Sequence, residues 1–241
     1  MAATARKKSP TPGRRAQRPD GDATRLHLIE TAGKVFAERG LAEATSKEIC
    51  ERAGVPLASV NYHFGSRDGL YEAVLIAAHQ QLIGLEELMA LVQDIDDPET
   101  RLRSVLTHFV RFATSANAPW GFRVVLREIM TPSAALPALI EKAVRPKAQF
   151  MRGLVSAVMG LPPEHPSAQR AVVFALLPCL AIMVIPKEIP AKLLPALKET
   201  DALAEELMCY VMAGLRALAS AQKPAANPSR APARAARRER A

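Results

Sequence analysis

The side chains best suited to chemistry lie in residues 40–70, GLAEATSKEICERAGVPLASVNYHFGSRDGL, and that chemistry is the recognition of double-stranded DNA. Asn61 carries an amide that pairs in bidentate fashion with adenine, so it is the candidate for reading a base edge. Ser59, Tyr62 and His63 share its short segment. Thr45, Ser46 and Lys47 form a second group and Arg67 a third, all of types that hold phosphate and set a docking angle. No Lys or Arg falls within residues 57–63, which excludes guanine readout by an arginine from that segment.

Local signals supply the elements that position these groups. Leu28, Ile29, Ala32, Val35 and Phe36 recur at helical spacing, predicting a first helix capped at Asp22 and closed by Gly40. Thr45-Ser46-Lys47-Glu48 reads as a capping box opening a second helix, with Glu48 reaching back to the cap. Gly54 allows a sharp left-handed turn, and Pro56 opens a third helix over residues 57–63. Val60 and Phe64 of that helix look inward. Ser66 caps a fourth helix, whose N-terminus joins Arg67 in holding a flanking phosphate. Two short helices around a Gly-containing turn place the second of them in a major groove.

Gly40, Thr45, Ile49, Ala53-Gly54-Val55, Tyr62-His63-Phe64 and Arg67-Asp68 together resemble the DNA-binding domain of TetR-type bacterial regulators. Leu57 and Asn61 depart from that pattern, standing where relatives often carry a basic and an aromatic residue. Further on, Arg127-Glu128, Pro132 and Arg145-Pro146 resemble the C-terminal domain of the subgroup that includes the CecR regulators. The resemblance covers about residues 22–220. It implies an all-α fold, with an N-terminal three-helix helix-turn-helix domain joined by a long fourth helix to a C-terminal helical domain for ligand binding and dimerisation. The implied domains are a basic arm at 1–21, the DNA-binding domain at 22–70, the effector and dimer domain at 71–220, and a basic tail at 221–241.

Charge is distributed unevenly. Residues 22–70 hold six Lys and Arg against seven Asp and Glu, while residues 1–21 and 221–241 each carry +5. The ends are rich in Pro, Ala, Ser and Arg and poor in large apolar residues, so they are expected to be disordered. The arm before the first helix is a candidate for a sequence-blind grip on phosphate, with a solvated spacer as its alternative. No apolar stretch follows the N-terminal charges, so the run does not read as a secretory signal.

The chain's 241 residues are 49% hydrophobic, rich in Ala and Leu, and suited to a small helical domain plus a larger one in the cytoplasm. Residues 171–185, AVVFALLPCLAIMVI, are apolar throughout but fall short of the ~20 needed to span a bilayer and contain Pro178. The expected use is a helix buried all round, between the domain core and a second subunit. A later helix, residues 200–219, sets Leu203, Leu207, Tyr210, Val211, Gly214 and Leu218 on one side. The two would pair with their copies in a four-helix homodimer interface. A dimer is also what recognition requires, since one two-turn helix reads too few base pairs, so the operator should be palindromic.

Between these regions a fourth helix is expected from about Ser66 through Leu70, Val74, Ala78, Leu82 and Leu85 to Leu91, as a mechanical link. A fifth carries Leu102, Val105, Leu106, Phe109 and Ala113, and a longer one spans residues 136–159 with an interruption at Pro146. If the resemblance extends to mechanism, a small-molecule effector binds here and changes the spacing of the recognition helices. Phe109, Phe112, Trp120, Phe122, Met130, Met151 and Phe174 are candidates for an apolar lining, with His108, Arg123 or Arg127 fixing a polar group. Ordinary core packing, and an internal Arg127-Glu128 ion pair, are the competing readings. Repression by blocking polymerase is the expected direction of control, with activation as the alternative.

No catalytic, metal-binding or cofactor-binding motif stands out. G-x-S-x-G, a Gly-rich phosphate loop and CxxC are absent, and Cys50, Cys179 and Cys209 read as separate buried thiols. The rival classes are an architectural protein that coats DNA with its basic ends, and a helical enzyme or lipid carrier.

Overall fold

The computed structural model describes residues 19–115, 119–185 and 188–222, and among these every regular element is helical. In chain order they are α1 (Pro19–Glu43), α2 (Ser46–Ala53), α3 (Ala58–Phe64), α4 (Arg67–Leu82), α5 (Leu85–Ala90), α6 (Pro98–Thr114), α7 (Trp120–Met130) and α8 (Leu136–Leu139). A π turn (Ile140–Val144) then leads to α9 (Arg145–Met159), α10 (Pro166–Val184), α11 (Glu188–Leu193), a 3-10 turn (Pro195–Lys198) and α12 (Thr200–Ala221). Both basic ends, apart from the residues adjoining α1 and α12, lie outside the described residues. So do residues 186 and 187, between α10 and α11.

Two compact units emerge, one formed by the residues up to Leu82 together with Pro119–Ala143, the other by Ile83–Ala118 and the residues from Val144 onward. This division differs from the boundary expected after residue 70. The first unit retains all of α4 and adds α7 and α8. Leu28, Ala32, Val35 and Phe36 of α1, Ile49 of α2, Val60 of α3 and Leu70, Tyr71 and Val74 of α4 are buried, with α1 packed on α2 and α4, and α3 on α4 and α2. The α7 helix packs on α1 and α4 at glycine contacts: a Cβ on Gly121 would lie 2.7 Å from the Ala78 carbonyl, and one on Gly33 would meet the Trp120 ring. Trp120 Nε1 donates to Glu30 Oε2 at 2.9 Å, fixing the ring there.

Several element boundaries differ from expectation for local reasons. The α1 helix begins at Pro19, whose fixed φ and missing N–H suit a first turn, so Asp22 lies within the helix. Gly40 takes φ 78° and ψ 176°, a kink rather than an end, and one more turn follows to Glu43. The expected long fourth helix divides: α4 stops at Leu82, and Gly84 in extended conformation (φ −71°, ψ 151°) caps the separate α5. Beyond the break, Ile83 and Leu88 are buried in the core of the second unit. Just before Pro146 the backbone widens into the π turn, a way to accommodate a residue without a donor.

The second unit has its own core. Leu102, Val105 and Leu106 of α6, Met151 and Val155 of α9, Ala168, Ala171 and Ala175 of α10, and Met208 and Val211 of α12 form one cluster. Ion pairs Arg103–Glu205 (2.9 Å), Arg111–Asp201 (3.2 Å) and Arg216–Glu99 run between α6 and α12 on its surface. The α10 helix is not buried all round within a protomer. Ala168, Ala171, Ala175 and Cys179 face inward, while Val173, Phe174, Leu177, Leu180 and Val184 are exposed. Starting at Pro166, it has 19 residues and is long and apolar enough to cross a bilayer, which the 171–185 stretch alone is not. On α12, Leu207 and Val211 are buried but Tyr210 and Gly214 are exposed, so the face drawn from sequence is split between core and surface. Cys50 and Cys179 are buried thiols whose pKa burial pushes up, the latter to about 11, whereas Cys209 is exposed.

Candidate nucleic-acid interface

The turn between α2 and α3 is set by three residues. The Thr45 hydroxyl accepts the Glu48 N–H at 3.2 Å, starting α2. Gly54 adopts the left-handed conformation at φ 66° and ψ 29°, and Val55 N–H returns to the Cys50 carbonyl at 3.0 Å, which closes α2. Pro56 then accepts the Ser59 N–H at 2.9 Å, so α3 starts without spare backbone. The reciprocal half of the capping box does not form. Glu48 is drawn instead into ion pairs with Arg52 (2.8 Å) and Arg39 (3.0 Å), which tie α2 to the end of α1. His27 Nε2 adds a contact to the Ala53 carbonyl at 3.1 Å.

With the turn fixed, α3 buries one face and presents the other. Val60 is in the core, and Phe64 is half-buried beneath the Arg25 guanidinium at 5.3 Å. Asn61 is exposed and Tyr62 is 83% exposed, an unusual position for a large aromatic ring unless it meets a partner. His63 is half-buried, its ring edge-on to Tyr62 at 4.8 Å between centroids, and Ser59 is also half-buried. Thr45 and Lys47 are exposed and Ser46 is partly so, at the start of α2. The Ser66 hydroxyl accepts the Gly69 N–H at 3.0 Å, capping α4. Beside it Arg67 donates to the Ala44 carbonyl at 3.0 Å, which fixes the guanidinium against the α2 end of the helix-turn-helix. Of the eight residues expected to meet DNA, Thr45 is the cap of α2 and the other seven belong to α2, α3 and the first residue of α4.

A buried polar centre that sequence reading missed stabilises this unit. Glu128 of α7 is 1% exposed. Its carboxylate accepts from Tyr71 Oη at 3.0 Å, Ser133 N–H at 2.8 Å and Ser133 Oγ at 3.0 Å. Burial and that carboxylate push the Tyr71 hydroxyl pKa up, so it stays a donor. Gly121, Val124, Val125 and Glu128 share the inward stripe of α7, and this spacing is the signal that would have placed Glu128 inside. Arg127 does not pair with it but donates to the Glu38 carbonyl at 3.3 Å, over the Gly40 kink.

The residues expected to line an effector pocket are spread over both units. Trp120, Phe122, Arg123, Arg127 and Met130 lie on α7, with Trp120 engaged by Glu30, Arg123 and Met130 exposed, and Arg127 and Met130 on the rim of an open cleft of about 710 Å3 beside Tyr71. His108, Phe109 and Phe112 lie on α6, where His108 Nε2 is 3.6 Å from Glu87 Oε1 and Phe109 packs on the core. Met151 is a core residue of α9, and Phe174 belongs to the exposed face of α10.

Comparison with known proteins agrees with this geometry. Residues 28–74 match the family model of bacterial regulatory proteins of the tetR family, and residues 98–218 match that of the C-terminal domain of the HTH-type transcriptional dual regulator CecR. The HTH-type transcriptional regulator TtgR of Pseudomonas putida is 33% identical over 66 residues, covering 27% of this chain and 31% of TtgR. CecR of Shigella flexneri is 25% identical over 149 residues, covering 58% of this chain and 66% of that protein. The chain thus matches about a third of one relative's length and just under two thirds of the other's. Among solved structures, AibR in complex with isovaleryl coenzyme A and operator DNA superposes with a TM-score of 0.59 at 20% identity, covering 77% of this chain and 98% of AibR, a likeness of fold. A tetR-type helix-turn-helix followed by a matched CecR-type domain spanning half of the chain leads to one assignment: this protein belongs to the TetR family of bacterial transcriptional regulators.

Proposed function

We propose that this protein is a sequence-specific DNA-binding regulator of transcription, a repressor released from a palindromic operator by a small molecule. The observation that carries the reading is the exposed Asn61-Tyr62 pair on a helix whose other face is locked by Val60. Asn61 reads an adenine edge. Tyr62, His63, Ser59, Thr45, Ser46, Lys47 and Arg67 hold phosphates and set the docking angle.

The active species is a homodimer. Val173, Phe174, Leu177, Leu180 and Val184 on α10, with Tyr210 on α12, form an exposed apolar surface that a soluble monomer rarely keeps, and a second copy of the same helices covers it. This use of α10 replaces a membrane role and fits action in the cytoplasm. Two recognition helices then meet half-sites about one helical turn apart or more.

An effector acts by population shift: it releases DNA by binding the low-affinity arrangement better, and a tenfold loss of operator affinity requires ~1.4 kcal/mol of coupling. That AibR was crystallised with both isovaleryl coenzyme A and operator DNA supports a regulator that answers to a small molecule. His108, Phe109 and Phe112 of α6 are the candidate contacts within the second unit, and Arg127 and Met130 those within the first.

Selection of bound fragments from a pool of the host's DNA tests the function. One palindrome retained in excess unrelated DNA is the expected result. Binding that the unrelated DNA abolishes equally for every fragment would mark a coating protein instead.

A further inference from the structure

Recognition helix α3 holds no Lys or Arg, and the surrounding domain is net negative over residues 22–70, yet DNA binding requires cations near the groove. Most cations of the first four helices have a carboxylate close by. Lys34, Arg39, Lys47, Arg52 and Arg67 each have a carboxylate oxygen at 2.7–3.9 Å. Arg25 has none among the described residues. Its guanidinium instead lies 5.3 Å from the centre of the Phe64 ring, at the last turn of α3, within the range of a cation–π contact. Arg25, His63 and Phe64 line one open cleft of about 450 Å3, and the carboxylate in that cleft, Glu72, is occupied by Lys142 at 2.7 Å. A half-buried arginine is thus held in place by an aromatic face, with no carboxylate paired to it among the described residues.

The geometry points to a further DNA contact: Arg25 of α1 is a phosphate clamp on the α1 side of the recognition helix. This inference rests on the DNA-binding reading above. Arg67 is pinned to the Ala44 carbonyl just before α2, so the two guanidinium groups are held by different helices, Arg25 on α1 and Arg67 on α4. The contact they make differs in one respect. Arg67 also lies 3.8 Å from Asp68, whereas among the described residues no carboxylate has to be displaced from Arg25 before it meets a phosphate. Stacking leaves the guanidinium edge, which carries the N–H donors, available to phosphate oxygens. Phosphate contacts carry no sequence information, so Arg25 strengthens binding to the operator and to unrelated duplexes alike.

The test is a salt titration of binding by the full chain, on the selected operator and on a scrambled duplex. Each phosphate neutralised contributes about 0.9 to the slope of log K against log salt. Arg25→Gln should therefore shallow the slope by about 1.8 per bound dimer on both duplexes, leaving the preference for the operator intact, and Arg25→Lys should restore most of it. Arg25→Met, whose apolar stem still covers Phe64, guards against loss of folding and should shallow the slope equally. Wild-type slopes in the Gln or Met variant overturn the clamp. Failure of the regulator reading looks different: the unaltered protein would show no operator preference, while the slope comparison on scrambled DNA would still decide the role of Arg25.

Discussion

Gly121→Ala puts the packing of α7 against α4 to a quantitative test. In an ordinary helix interior this substitution stabilises by about 1 kcal/mol, because Ala loses less conformational freedom on folding. Here the added Cβ would stand 2.7 Å from the Ala78 carbonyl oxygen, 2.8 Å from Ala78 Cα and 2.9 Å from the Gln81 side chain. Ordinary contact begins near 3.4 Å, so two helix backbones must separate by about 0.7 Å, and the first two atoms are not free to swing aside. Overpacking of this kind costs roughly 1–3 kcal/mol, with backbone clashes at the upper end. After subtracting the propensity gain, the variant should lose about 2 kcal/mol. Gly153→Ala in α9 is the control, since nothing lies within 4 Å of its Cβ, and it should gain roughly 0.5–1 kcal/mol. Urea unfolding followed by fluorescence reads the effect at its source, because Trp120 is the only tryptophan and adjoins Gly121. Equal stability of the two variants would refute the close approach of α4 and α7.

Two further outcomes follow from the second unit. Lys147 is 9% exposed, and burial lowers its pKa from 10.5 to about 8, with Glu87 opposing the shift. A base with a depressed folded-state pKa costs stability while both states are protonated, and the cost fades as pH rises from about 8 towards 10.5. Lys147→Met should accordingly be the more stable protein at pH 7, by up to about 3 kcal/mol, and its advantage should shrink by pH 10 in urea titrations. A difference that stays constant across that range would contradict the assignment. At the proposed dimer surface, Leu177→Glu should yield a monomer of unchanged helix content in light scattering and lose most operator affinity. A dimer of undiminished mass would place the interface elsewhere.

How much of this was legible in sequence depended on the range of the signal. The helix-turn-helix was written locally: the Thr45 cap, the left-handed Gly54, Pro56 and the Ser66 cap each act within a few residues, and each performs the expected part. Apolar periodicity located the helices but not their breaks, as the extended Gly84 between α4 and α5 demonstrates. It also could not say which helices share a unit. That α7 packs on α1 and α4 depends on Gly33 and Gly121 permitting close approach between segments distant in sequence. Likewise Glu48 met Arg52 of its own helix and Arg39 of α1 instead of its own cap, a choice in which a neighbouring helix takes part. The candidate effector residues fared differently because apolar side chains at helical spacing look alike whether they line a cavity, fill a core as Met151 does, or cover a surface as Phe174 does.

Base-resolved specificity of Asn61→Ala bears most directly on the central assignment, that the exposed face of α3 reads DNA. Measured by binding selection on randomised half-sites, the variant should lose discrimination at one symmetric pair of positions while keeping it elsewhere, and Tyr62→Ala should weaken binding to every sequence without altering preference. An Asn61→Ala protein that folds normally and selects the same sequence at every position would contradict the account.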